Sequence, residues 1–114
     1  MYRVDYCVTG GGKCPVERFI DGLREKTRAK VFSEVAMLSE FGPVVGMPYA
    51  RQLEEGIFEL RVSQGKDEVR IMYFFAPSQR IVLTHGFLKK TEKTPSREIR
   101  RAKRMRDEWR RNNG

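Results

Sequence analysis

Histidine is almost missing from this 114-residue chain, with one copy, and cysteine occurs only twice. One imidazole and two thiols make no Cys/His set at zinc-site spacing and no disulfide framework, so Cys7 and Cys14 are read as reduced thiols, and no metal or cofactor is expected. Long apolar runs are lacking too. No span approaches bilayer length and no apolar leader follows Met1, so the expected location is the cytoplasm, with no membrane partner. Acidic residues are the minority charge: 15 Asp and Glu against 23 Lys and Arg leave +8 at neutral pH and a pI near 9.9. Such an excess suits a polyanion, an anionic membrane surface or an acidic protein, and does not by itself distinguish an enzyme from a binder.

The chain is nevertheless rich enough in apolar residues to fold. With 39% hydrophobic residues, seven Phe and four Tyr, it should form one domain over residues 1–114, around a single core. Tyr2, Val4, Tyr6 and Val8 alternate with polar residues as in a half-buried strand. Gly10-Gly11-Gly12-Lys13 then interrupts it. The spacing lacks the second glycine and the Lys-Ser/Thr pair of a phosphate loop, so this segment reads as a connector.

Pro15 suits a first helical position, and Val16, Phe19, Ile20 and Leu23 follow at helical spacing. A second helix fits Thr27 to Phe41, with Val31, Val35 and Leu38 inward and Gly42-Pro43 as its stop. The result is a helical hairpin, or one bent helix, whose apolar face must cover something, followed by an irregular connection from Pro43 to Arg51. Three strand-like runs come next: Ile57 to Ser63, Glu68 to Ala76 and Arg80 to Leu88. Phe58, Leu60 and Val62 share one face of the first. In the second, Ile71, Tyr73 and Phe75 oppose Arg70, Met72 and Phe74, so it is apolar on both sides and belongs at the sheet centre. Arg61 and Arg70 should lie on the face away from the hairpin. Thr94-Pro95 reads as a cap and first turn, opening a terminal helix with Ile99, Ala102, Met105 and Trp109 as its apolar stripe, ringed by arginines. The fold class is α+β, with an antiparallel-rich sheet, the helical hairpin and a basic terminal helix.

The segment Ile81 to Pro95 runs an apolar strand into Lys89, Lys90 and Lys93, placing ammonium groups at a sheet edge where a phosphate backbone could reach them. The strings Gly56-Ile57-Phe58-Glu59-Leu60-Arg61, Val69-Arg70-Ile71-Met72-Tyr73-Phe74 and Leu83-Thr84-His85-Gly86-Phe87-Leu88-Lys89-Lys90-Thr91, followed by Thr94-Pro95, resemble the phage-derived HigB-like branch of the RelE/ParE toxin superfamily. The resemblance covers almost the whole chain. It implies a RelE-like, microbial-RNase-like fold, the role of toxin in a type II toxin–antitoxin system, and cleavage of mRNA in the ribosomal A site without a metal. It also implies ribosome and mRNA as partners, with a cognate antitoxin, HigA-like and of helix-turn-helix type, encoded nearby.

RNA cleavage by internal attack needs an aligned and deprotonated 2′-hydroxyl, stabilised phosphoryl charge and a proton for the leaving oxygen. Arginine offers a fork for phosphate and lysine a tunable point charge. Arg61 and Arg70 are therefore assigned to phosphate, and Lys89 or Lys90 to charge stabilisation or proton donation, with Lys93 as a further RNA contact. His85 has the right unperturbed pKa for a base, but it shares strand parity with Leu83 and Phe87, which favours a structural role. Some superfamily toxins stack a base on a tyrosine of the terminal helix. No tyrosine follows Pro95 here, so either Tyr73, Phe74 or Trp109 supplies the stacking or the ribosome supplies most of the orientation; Tyr73, among the strands, is read first as a core residue. Two other readings stay open: a ParE-like poison of DNA gyrase without nuclease chemistry, and a catalytically silent phage-derived protein that binds RNA or a partner.

Overall fold

The structure, a computed structural model, describes residues 1–113. Strand β1 (Arg3–Tyr6) leads to helices α1 (Pro15–Asp21) and α2 (Glu25–Phe41). After a 3-10 turn come strands β2 (Ala50–Glu54), β3 (Ile57–Gln64), β4 (Asp67–Ala76) and β5 (Arg80–Leu88), and finally helix α3 (Ser96–Asn113). The sheet order is β1-β5-β4-β3-β2, parallel only between β1 and β5. This is the α+β architecture expected, with β4 at the sheet centre.

Each sheet face has its own core, because β-strand side chains alternate. Leu60, Val62, Val69, Ile71, Tyr73, Ile81 and Leu83 meet Val16, Ile20, Val31, Val35 and Leu38 of the helical hairpin. On the opposite face Ile57, Met72, Phe74 and Val82 meet Ala102, Met105 and Trp109 of α3. Gly86 lets α1 approach closely: a Cβ there would stand 2.4 Å from the Phe19 ring.

Four details depart from the sequence reading. The connection assigned to Pro43–Arg51 as irregular contains a short turn and runs into β2, a fifth strand that the apolar pattern missed. Its sequence, ARQLE, is mostly exposed, as suits a charged edge strand. The Thr94 hydroxyl does not cap α3; it donates to Glu59 at 2.5 Å. Phe74, considered as a base platform, is 1% exposed, as is Tyr73, whose core reading holds against its candidacy as a platform. Tyr73 stacks on Phe58 and Phe74 packs edge-on against Trp109, so these three candidate rings belong to the cores.

The fourth departure is a change of register within β5. Met72 pairs with His85 but Tyr73 pairs with Leu83, so Thr84 is an extra residue in β5, a β-bulge. Leu83 therefore faces the hairpin, whereas His85 and Phe87 lie on the α3 face. The parity argument that grouped all three failed because one inserted residue reverses the alternation.

Candidate nucleic-acid interface

Register places Arg61 directly opposite Arg70, and Arg70 opposite Phe87. One row further, Ser63 faces Glu68, and Lys89 bonds its backbone N–H to the Glu68 carbonyl at 2.7 Å. Behind them, Glu59 pairs with Met72 and Met72 with His85. All these positions share the α3 face of the sheet. Here α3 covers one end and leaves the other open: Arg61, Glu68 and Lys89 are partly exposed.

Arg70 is the unusual member. It is 3% exposed, and its Nη1 donates to the Val69 carbonyl at 2.9 Å while lying 3.5 Å from Glu68 Oε1. Among the described residues its Nε has no hydrogen-bond partner. A buried guanidinium with an unused donor is expensive unless something anionic completes it. Burial, and then the Arg61 charge opposite, push its pKa below the ordinary arginine value.

Lys89 joins the same field. Burial first, then Arg70 and Arg61, lower its pKa, with Glu59 and Glu68 opposing. Its ammonium is thus a stronger acid than an isolated lysine's. Lys90 and Lys93 are exposed in the following loop; Lys93 lines a cavity of about 230 Å³ with Arg51, Thr94 and Ser96. The structure therefore brings Arg61, Arg70 and Lys89 into one cluster and leaves Lys90 and Lys93 beside it.

Two carboxylates enter the cluster that sequence reasoning did not select. Glu59 is 1% exposed; Thr94 donates to it, and Arg61 and Arg51 lie 3.7 and 4.0 Å from its Oε2. It balances the cations from beneath. Glu68 has a side chain 45% exposed and accepts from the Ser63 hydroxyl at 2.9 Å. Alternation with Arg70 along β4 is the signal that could have found it.

His85 lies under α3. Its Nε2 is 3.0 Å from Glu98 Oε1 and its Nδ1 3.1 Å from the Thr84 hydroxyl. Burial, reinforced by Arg101 and Arg104 and opposed by Glu98, lowers its pKa to about 4. The folded chain keeps the ring neutral where the unfolded chain, titrating near about 6.5, already binds a proton. Acid should therefore destabilise the protein progressively between those two values. Denaturant midpoints measured near neutrality and near about pH 5 should differ for the native chain, and part of that difference should vanish in His85→Gln. Equal pH dependence in both proteins would overturn this account.

No helix among the described residues is long and apolar enough to cross a membrane.

Comparison with known proteins bears on this geometry. The model of the family described as phage derived protein Gp49-like matches residues 18–107. A Mycobacterium tuberculosis (strain ATCC 25618 / H37Rv) protein bearing the toxin name HigB2 is 33% identical over 85 residues, a match of 68% of this chain and 42% of that protein. The chain thus spans less than half of that relative's length. The crystal structure of an archaeal RelE-RelB complex from Pyrococcus horikoshii OT3 shares the fold, with a TM-score of 0.54 at 18% identity over 82% of this chain and 98% of that one. The likeness read from the motif strings agrees with these matches.

Proposed function

Because the chain belongs to the phage-derived Gp49-like family and has a RelE-like fold, we propose that it is the toxin of a type II toxin–antitoxin pair and that it cleaves mRNA in the ribosomal A site. The observation that carries this reading is the buried Arg70 guanidinium, its Nε unpaired among the described residues, opposite Arg61 and beside Lys89. A phosphodiester would complete that set.

In this reading Arg61 and Arg70 hold the non-bridging phosphoryl oxygens and stabilise the charge that builds on them. Glu68 takes the proton of the 2′-hydroxyl, whose oxygen bonds to phosphorus as the bond to the 5′ oxygen breaks. Lys89 supplies the proton to that leaving oxygen, leaving a 2′,3′-cyclic phosphate and a 5′-hydroxyl. Glu59 stays buried as the counter-charge. The open face of the cluster offers little to fix the attack angle, which suits a substrate aligned by the ribosome. The archaeal RelE of similar fold is seen in complex with RelB, and an antitoxin of HigA-like type is the partner proposed for this chain.

Arg61 provides the direct test, because its side chain is 25% exposed and truncation should leave the fold standing. Inducing the native chain in cells should arrest growth and yield in-codon mRNA 5′ ends, and Arg61→Ala should lose both. Arrest with intact mRNA and broken DNA would replace this reading with gyrase poisoning, and no arrest with no cuts would leave only a silent binder.

A further inference from the structure

Beside the arginine pair lies a lip of exposed apolar side chains that packing does not account for. Tyr49 is 47% and Met47 61% exposed. Both precede β2, and the backbone N–H of Arg61 donates to the Tyr49 carbonyl at 2.8 Å, which sets Tyr49 opposite Arg61. Ala50, the next residue, is buried in the hairpin-side core, so alternation puts Tyr49 on the face of Arg61 and Arg70. The row across the sheet then reads Tyr49, Arg61, Arg70, Phe87.

Met47 belongs to the same arrangement. Its sulfur lies 3.7 Å from Arg61 Nη1, the nitrogen that also stands 3.7 Å from Glu59. The guanidinium is thus held between a buried carboxylate and a soft, exposed thioether. The lip ends in an aromatic residue whose backbone lies one strand away from that of Arg61, a spacing of about 4.8 Å.

We propose that Tyr49 is the nucleobase platform of this site, stacking the base adjacent to the phosphate that Arg61 and Arg70 hold. The proposal rests on the nucleic-acid reading above and adds to it a ligand contact outside the terminal helix. A ring presents a sequence-tolerant face to any base, and stacking on it strengthens single-strand binding without reading an edge. The other aromatic rings on this face are less available: Phe87 is half-buried against His85, and Phe74 of the sheet and Trp109 of α3 are buried against each other.

The test compares two ligands at low salt: a 2′-O-methyl uridine trinucleotide, which resists internal attack, and an abasic sugar–phosphate oligomer of equal length. The native chain should bind the base-bearing ligand about 5- to 150-fold more tightly. Tyr49→Ala and Tyr49→Leu should abolish that preference while keeping abasic binding, and Tyr49→Phe should restore it. Arg70→Ala should weaken both ligands alike. Equal binding of the two ligands by the native chain, or a preference that survives Tyr49→Ala, would overturn the platform and leave the phosphate site intact. If the native chain binds neither ligand, the nucleic-acid reading fails and the platform with it.

Discussion

Replacing Arg70 by methionine should silence the protein and at the same time make it harder to unfold. The guanidinium is 3% exposed, its Nε is unpaired among the described residues, and Arg61 stands directly opposite. Leaving a buried donor unsatisfied costs about 1–3 kcal/mol, and well-packed apolar replacements of buried charges are often stabilising. Methionine keeps the length of the side chain and removes the charge, so the expected gain is of that order, read as a rise in melting temperature of several degrees. On the proposed nuclease reading, loss of the Arg70 fork should meanwhile lower cleavage by about 10²–10³-fold. Thermal denaturation and mapping of mRNA 5′ ends measure the two effects separately. A variant that melts earlier than the native chain would show that the guanidinium is satisfied in the free protein.

Trp109→Ala should give the largest loss of stability. The indole packs edge-on against Phe74 at 5.6 Å, and the Arg80 guanidinium lies over its ring at 4.9 Å. Truncating a buried tryptophan costs about 3–5 kcal/mol, a large part of the roughly 5–15 kcal/mol that holds a domain together. The effect should reach the site, because α3 and its leading loop carry Glu98 to His85 and Thr94 to Glu59. Urea denaturation followed by circular dichroism tests this. An unchanged midpoint would mean that α3 is held by its N-terminal contacts rather than by the indole.

Much of the site was legible because the alternation of β3 and β4 is unbroken. Phe58, Leu60 and Val62 against Glu59 and Arg61, and Ile71 and Tyr73 against Arg70, placed both arginines on the face away from the hairpin, and the register makes them direct partners. Tyr49 was not legible, since β2 has no apolar periodicity and pairs only as an irregular edge with a register shift between Gln52 and Glu54. Glu59 sits on the face its position implied, but its burial is a tertiary effect of the Thr94 loop closing over it. No local pattern encodes such a contact. The three aromatic candidates were misleading because ring size signals burial and exposure equally well until neighbours are known.

The extra residue in β5 has a consequence for how this chain can vary. From His85 to Lys89 the strand is half a period out of phase with its first half, so Lys89 meets the arginines only by virtue of Thr84. Were β5 to straighten over Thr84 without losing a residue, Lys89 would swing to the side of the hairpin with its chemistry unaltered, whereas loss of Thr84 itself would leave Lys89 on the face of the arginines. Along this stretch the kink and the residue count are tied together, and lineages of such chains should lose both at once or keep both.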